Sequence, residues 1–195
     1  QLSINTDMFR SIKLGERKGD FDAFDYFDQT YFVEIEKEPD RKYEYGLDWK
    51  RNLLDKASKL NFYSHLIEHD NNFPIPLPDE SMSFVYTNSA YWVQNFVGHL
   101  QDLVRITKKG GYIVLQIKTD KIKQFSSKHY LPFMGRKFHE IIDAGRFSTW
   151  KGLKSKEEII DIINSIKNVK ICHMEPVYGD ILAMIWDIGL RPLFN

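Results

Sequence analysis

The sequence has 195 residues, 43% of them hydrophobic, and its 27 basic and 27 acidic side chains give a formal net charge of zero. This length predicts one globular domain, and this composition excludes intrinsic disorder. A net charge of zero argues against nucleic acid or an anionic membrane as the partner. The lone Cys172 excludes an intramolecular disulfide framework and favours a reducing compartment. The apolar run 181–190 contains Asp187 and falls well short of the about 20 residues that a membrane span needs. We therefore expect a soluble, cytoplasmic protein.

The first 42 residues differ in composition from the rest of the chain. Acidic residues alternate there with aromatic ones, and Phe21, Phe24, Phe27 and Tyr31 recur at helical spacing. This pattern predicts an amphipathic helix with one aromatic face. The alternative is an aromatic lid over a ligand. Because the sequence begins with Gln1 rather than Met, we expect the natural N-terminus to precede it.

From residue 43 onward, strand and helix patterns alternate. Short apolar stretches predict the strands, and apolar residues at helical spacing predict the helices between them. A proline-rich loop at 73–78 and a Lys-Gly-Gly turn at 109–111 separate elements. Such alternation predicts an α/β fold with a mostly parallel sheet. The predicted strands are 43–47, 62–68, 82–87 and 112–117, and the predicted helices are 49–59 and 96–105.

The C-terminal third predicts two helices and two strands. Ser155 followed by Glu158 forms a capping-box pattern that starts a helix over 155–165, and a weaker helix is predicted at 137–144. Strands are predicted at 169–174 and 181–188. The link between them is too short for a parallel crossover, so we expect an antiparallel hairpin that closes the sheet.

Polar residues follow three of the predicted strands, where ligands bind in open α/β sheets. Asp48 could accept both hydrogen bonds of a ribose diol, Asp70 is followed by Asn71, whose amide suits a purine edge, and Asn88 follows the next strand. Each also has a local structural explanation. Asp48 or Asn88 could cap the helix that follows it, and 70–72 could be an ordinary turn. Together, these positions favour a nucleoside site.

The same region resembles the class I S-adenosylmethionine-dependent methyltransferases. Residues 46–57 (GLDWKRNLLDKA) are similar to the family's acidic ribose-binding loop and following helix. Residues 76–86 (PLPDESMSFVY) resemble the run that enters its fourth strand, and 103–114 (LVRITKKGGYIV) resemble its most specific motif of the three. The order and spacing of the motifs also match the family.

The resemblance implies a Rossmann-like three-layer sandwich that binds S-adenosylmethionine. It implies that Asp48, with the adjacent Trp49, lies at the ribose, and that Asp70, Asn71 and Asn88 line the rest of the cofactor site. The implied reaction is in-line displacement of the sulfonium methyl group by a small-molecule or saccharide-type acceptor. In this fold the chemistry belongs to the cofactor, and the protein supplies position and desolvation.

Aromatic residues and histidines are the candidates for contact with the methyl acceptor. Tyr91 and Trp92 follow Asn88 and could wall the acceptor pocket, although they could equally be core aromatics. An oxygen nucleophile would benefit from a general base. The candidates for that role are His99, His129 and His139. His129, in the loop after the 112–117 strand, is a weak candidate, while His99 falls within a helical pattern that favours a structural role.

The remaining polar patterns predict no further site. The lysines after the 112–117 strand (Lys118, Lys121, Lys123 and Lys128) favour a solvated face over a phosphate-binding patch. No His, Cys and Asp cluster has metal-ligand spacing, so we expect no metal. Neither oligomeric state nor the acceptor can be predicted.

One departure from the family is large. Its glycine-rich first motif should precede Asp48, yet residues 20–45 contain no glycine. We expect a strand and a glycine-rich turn to be missing from the sequence between 20 and 43, within a single domain whose α/β core is 43–195. If nothing is missing, a non-catalytic scaffold of the same fold becomes the leading hypothesis. A nicotinamide-dependent dehydrogenase is disfavoured because its fingerprint glycines are also absent.

Overall fold

The computed structural model describes residues 4–6, 33–35, 37–127, 129–143, 150–177 and 179–190, and the structural statements below refer to these residues. The chain divides into two compact units, Gln1–Asp70 and Asn71–Asn195. Each unit is described by itself.

The first unit contains a parallel strand–helix–strand arrangement. Strand β3 (Tyr43–Asp48) pairs in parallel with β4 (Tyr63–Glu68), from Tyr43 opposite Tyr63 to Asp48 opposite Glu68. Helix α1 (Arg51–Ser58) connects them and buries Leu54. The predicted strands and helix of this region are therefore confirmed.

Two short strands precede this arrangement. Strand β1 (Ile4–Thr6) pairs antiparallel with β2 (Val33–Ile35). The aromatic segment 21–31, predicted as a helix or lid, lies outside the described residues, as does most of the interval predicted to lack a strand and loop. The helical pattern does not extend to 33–35, where the β-branched Val33 and Ile35 suit a strand.

The second unit also contains a parallel pair. Strand β5 (Met82–Thr87) pairs in parallel with β6 (Thr107–Leu115). A 3-10 turn (Ala90–Trp92) and helix α2 (Phe96–Ile106) connect them. One face of α2 forms the centre of the core, as predicted from its periodicity. Its buried residues are Phe96, His99, Leu100, Leu103 and Ile106.

The predicted turn at 109–111 is wrong, because these residues lie inside β6. Met82 pairs with Thr107 but Phe84 pairs with Tyr112, so the extra residues of β6 bulge out between the two pairs. Gly110 makes this possible, because its φ of +77° is a left-handed conformation that favours glycine. Two adjacent glycines in sequence thus mark a bulge here and not the end of an element.

The prediction of one parallel sheet is confirmed only as two parallel pairs. Among the described residues, backbone hydrogen bonds join the strands as β1–β2, β3–β4 and β5–β6, each a two-stranded sheet. The apolar patterns locate the strands correctly, but they carry no information about which strands are neighbours.

Short helices make up most of the rest of the second unit. The predicted helix at 137–144 is confirmed as α4, and the one at 155–165 as α5. Ser155 and Glu158 form the predicted capping box at the start of α5. The elements are a 3-10 helix (Asp120–Phe125), α3 (Leu131–Met134), α4 (Arg136–Asp143), α5 (Lys156–Ser165) and α6 (Asp180–Met184), which continues as a π-helix (Ile185–Leu190).

The predicted closing hairpin is wrong. Residues 169–177 form no helix or strand, and 180–190 are helical. Short apolar runs do not distinguish a strand from a buried helix, and Asp180 in the first turn of α6 suits the positive end of a helix. Cys172 lies in the irregular segment, and its side chain is exposed.

A charged pair on α2 holds the proline-rich loop that leads into β5. Arg105 donates to the backbone oxygens of Ile75 and Leu77, both at 2.8 Å, and to Asp102 at 2.6 Å. Asp102 in turn accepts the backbone N–H of Ile75 at 2.5 Å. Burial opposes ionisation of Asp102, but the hydrogen bonds from Arg105 and Ile75 outweigh it and lower the pKa of this carboxyl group.

Candidate functional site

Asp48 lies at the carboxyl end of β3 in the first unit. Its Oδ1 accepts the backbone N–H of Lys50 at 2.8 Å. The N-cap residue of α1 is Lys50, and its side chain makes no capping hydrogen bond. The alternative role for Asp48 as a helix cap is therefore wrong. Since Oδ2 makes no hydrogen bond within the described part of the chain, one edge of this carboxylate is available to a ligand.

Trp49 and Asp70 lie at the same end of the β3–β4 pair as Asp48. The backbone N–H of His69 donates to the Asp48 carbonyl at 2.9 Å, which extends the strand pairing to the point where Asp70 follows. The Trp49 ring is 67% exposed, and the Asp70 side chain is also exposed. The first unit thus brings together three of the predicted cofactor-binding residues.

The amides of Asn71 and Asn72 hold the loop that follows β5. Asn71 Nδ2 donates to Ser89 Oγ at 3.0 Å, and the backbone N–H of Gln94 donates to Asn72 Oδ1 at 2.8 Å. Asn71 therefore has a structural role, which leaves its Oδ1 as the atom that could meet a purine edge. The role of Asn71 at a purine edge stays a prediction.

Asn88 is exposed in the loop directly after β5. The N-cap of the following 3-10 turn is Ser89, without a side-chain cap bond. Asn88 therefore does not cap this turn, and the alternative role proposed from its position is wrong. It lines an open cleft together with Tyr91 and Lys118.

Tyr91 and Trp92 form an aromatic cluster with Trp150. The Tyr91 and Trp150 rings meet edge to face with centroids 5.6 Å apart, and Trp92 lies 5.4 Å from Tyr91 and 6.0 Å from Trp150. Tyr91 and Trp150 are buried, whereas Trp92 is 41% exposed. Tyr91 is therefore a core aromatic, and Trp92 is the member of this cluster that a ligand could reach.

Lys118 contradicts the prediction that its basic run is a solvated face. Its side chain is half-buried, and its Nζ lies 4.7 Å from the Trp150 centroid and 5.2 Å from the Tyr91 centroid. Lys121 fits the prediction better, since it makes an exposed ion pair with Asp180 at 3.1 Å. Sequence analysis missed Trp150 and Lys118 because only the fold brings residues this far apart into contact.

The three candidate histidines have different surroundings. His99 is buried in α2, in agreement with the structural role favoured by its pattern. His129 is exposed and packs edge to face on Tyr130, with ring centroids 5.0 Å apart. His139 Nδ1 lies 3.0 Å from Oγ of the fully buried Ser127. A catalytic role for His129 stays a prediction.

Two kinds of feature are absent from the described residues. No group of three or more His, Cys, Asp or Glu side chains among them could hold a metal ion. Within that same part of the chain, no helix combines the length and the apolar character that a membrane crossing requires.

Each unit by itself carries side chains that suit a nucleoside-containing cofactor. In the first unit, a carboxylate with a free edge stands at a strand end, which suits the hydroxyl groups of a ribose. In the second unit, an exposed amide and an exposed indole follow a strand end.

Comparison with known proteins finds similarity to a family model over part of the chain. Residues 31–115 match the family model described as a methyltransferase domain. A comparison with curated proteins finds no match. Among solved structures, a SAM-dependent methyltransferase from Thermotoga maritima, described as a possible histamine N-methyltransferase, is similar at 20% identity. The alignment covers 69% of this chain and 67% of that one with a TM-score of 0.44, which adds nothing to the family match.

Proposed function

We propose that the chain is a class I S-adenosylmethionine-dependent methyltransferase that methylates a small-molecule or saccharide-type acceptor. The match of residues 31–115 to the model of a methyltransferase domain supports this proposal. The family assignment makes S-adenosylmethionine its cofactor. When bound, this cofactor supplies an electrophilic methyl group on a sulfonium. We also propose that the strands belong to the Rossmann-like three-layer arrangement of this family.

The position and hydrogen bonding of Asp48 are the observation that supports this proposal. Its position at the carboxyl end of a parallel strand is where nucleotide ligands bind in open α/β sheets. Because Lys50 uses only Oδ1, the carboxylate keeps an edge for ribose hydroxyl groups and is held in place by the same hydrogen bond. We propose that Asp48 binds the ribose diol, with Trp49 and Asp70 beside it.

Asn71 and Asn88 are the proposed cofactor-binding residues of the second unit. The hydrogen bond from Asn71 to Ser89 fixes the loop that carries Asn88, so one residue positions the other. The exposed amide of Asn88 is available for a ligand. We propose that Asn71 acts mainly through this loop and that Asn88 contacts the cofactor directly.

Trp92 is the proposed wall of the acceptor pocket, with Tyr91 as its support. Methylation requires mainly that the acceptor nucleophile is positioned and shielded from water, and less that the protein supplies a reactive group. An exposed indole on two buried rings supplies a rigid apolar surface for that purpose. His129 stays the candidate base if the acceptor nucleophile is a hydroxyl group.

The test is calorimetric titration of the protein with S-adenosylmethionine and S-adenosylhomocysteine. We expect both to bind, and we expect Asp48→Ala to weaken binding by about 1–3 kcal/mol, the cost of removing a charged acceptor. Asp55→Ala is the matched control, because Asp55 pairs only with Arg51 on the surface of α1. Unchanged affinity in Asp48→Ala would exclude the ribose role.

A non-catalytic protein of the same fold is the second candidate. The lack of any glycine in residues 20–45 favours it, since only glycine lets a backbone approach a ligand closely without steric cost. Such a protein would bind neither cofactor form in the titration, or would bind them and transfer no methyl group to any acceptor in a screen.

A further inference from the structure

A fixed positive charge lies on the aromatic cluster at the carboxyl ends of β5 and β6. Lys118 follows β6, and its Nζ lies 4.7 Å and 5.2 Å from the ring centroids of Trp150 and Tyr91. An ammonium group over an aromatic ring face is attracted by the negative charge of the ring face, and removal of water strengthens this attraction. The rings therefore hold the lysine charge in one place.

The backbone around this cluster is closely packed. Gly152 donates its N–H to the Tyr91 carbonyl at 3.0 Å. A Cβ atom at Gly152 would lie only 2.6 Å from the Val93 oxygen and 2.7 Å from the Ala90 oxygen, so a larger residue would push the segments apart. This close approach fixes the segment of Trp150 against the turn that carries Tyr91 and Trp92.

The cluster lies at the end of the β5–β6 pair where ligands bind in open α/β sheets. The N–H of Gln116 donates to the Thr87 carbonyl at 2.9 Å, so the β5–β6 pairing continues up to the loops that carry Trp92 and Lys118. Ligands of open α/β sheets bind outside this end of the strands. Tyr91 and Lys118 line the cleft that opens there.

We propose that this cluster binds the methyl acceptor and selects a planar molecule that carries a negative charge, such as an aromatic carboxylate. The inference rests on the proposed methyltransferase function. Trp92, which is 41% exposed beside Tyr91 and Trp150, offers indole surface for stacking, and Lys118 offers a charge-assisted hydrogen bond to the anionic group. The same charge disfavours cationic amines, which would otherwise be attracted to two aromatic faces.

The test is calorimetric titration of the full chain with 2-naphthoate, 2-naphthylmethylamine and cyclohexanecarboxylate, without cofactor. We expect 2-naphthoate to bind and the amine and the non-planar acid to bind at least about tenfold more weakly, as for the loss of one charged or stacking contact. Equal or tighter binding of the amine would overturn the proposal.

Substitutions assign the effect to these side chains. Lys118→Met should weaken 2-naphthoate at least about tenfold, Lys118→Arg should retain it, and Trp92→Leu should weaken it without restoring amine binding. Lys123→Met is the control, because Lys123 is exposed on the neighbouring 3-10 helix and does not line the cleft. Unchanged affinity in Lys118→Met would exclude Lys118 from the site. If Lys118→Met does not fold, the acid-to-amine preference of the wild-type protein decides the question by itself.

The two proposals fail separately. Binding of S-adenosylmethionine with no preference for 2-naphthoate would remove only the acceptor proposal. Selective binding of 2-naphthoate with no binding of either cofactor form would instead contradict the methyltransferase function and leave an anion-binding site.

Discussion

Arg105 connects two stretches of the second unit through one guanidinium group. It donates to the carbonyls of Ile75 and Leu77 in the proline-rich loop and pairs with Asp102 on its own helix and with Asp79 before β5. Ile75 and Leu77 are buried, so their carbonyls need a partner from the protein. The Ile75 carbonyl also accepts the N–H of Leu77 at 2.8 Å, so Arg105 adds a second donor there and supplies a donor to the Leu77 carbonyl.

Replacement of Arg105 by Met should lower the free energy of unfolding by about 2–4 kcal/mol, because it removes the hydrogen bonds to the Leu77 and Ile75 carbonyls and the charged partner of Asp102. Urea denaturation measures this. Arg136→Met is the control, since Arg136 makes only an exposed pair with Glu140 and its loss should cost less than about 0.5 kcal/mol. Similar losses in the two variants would contradict the role of Arg105.

Asp102 makes part of the stability dependent on pH. Its pKa is lowered in the folded protein, so its ionised form stabilises the fold above the unfolded pKa of about 3.9, and this contribution is lost as the pH falls through the folded pKa. We expect Asp102→Asn to be less stable than the wild-type protein at pH 7. The difference should shrink below about pH 4. Urea denaturation from pH 7 to pH 3 provides the measurement, and a constant difference over that range would contradict the prediction.

At the scale of the element, the start of α5 is the clearest local signal in the chain. Ser155 Oγ accepts the N–H of Glu158 at 3.1 Å, and a Glu158 carboxylate oxygen accepts the N–H of Ser155 at 2.8 Å. These hydrogen bonds lower the pKa of Glu158. The interactions span three residues, so the sequence alone contains them.

Ser155→Ala should reduce the free energy of unfolding by about 1 kcal/mol, the usual cost of losing an N-cap. Ser165→Ala at the other end of α5 is the control, because Ser165 Oγ donates only to the Ile162 carbonyl on an exposed surface. Thermal denaturation of both variants distinguishes the two ends. An equal effect at Ser165 would mean that the box adds nothing.

Sequence analysis predicts features that depend on neighbouring residues and misses those that depend on contacts between distant residues. Local apolar spacing predicts β3, α1, β5 and α2, and the motifs around Asp48 and Gly110 carry the resemblance to the methyltransferases. The helical segment at 180–190 was missed because a short apolar run fits a strand equally well. The contact of Lys118 with Trp150 depends on the fold and has no local pattern.

At the scale of the whole molecule, the balance of charge is the dominant property. The 27 basic and 27 acidic side chains cancel at pH 7, and the sequence pI is about 7.2. A protein without net charge lacks the long-range repulsion that keeps molecules apart in solution.

We therefore expect the lowest solubility near the sequence pI of about 7.2, with higher solubility as the pH moves away from it in either direction. Precipitation by polyethylene glycol on either side of this pH measures it. A solubility that changes in one direction through pH 7 would show that exposed apolar surface, and not charge, governs association.

Cys172 gives the chain a single chemical handle. It is the only cysteine in the sequence, and its exposed side chain lies in the irregular segment between α5 and α6, on the lining of the same open cleft as Lys118. A maleimide dye would therefore attach at one known position without mutagenesis. Its emission would report on ligands that enter the cleft, and the same thiol would join two molecules covalently if the protein were stored without a reductant.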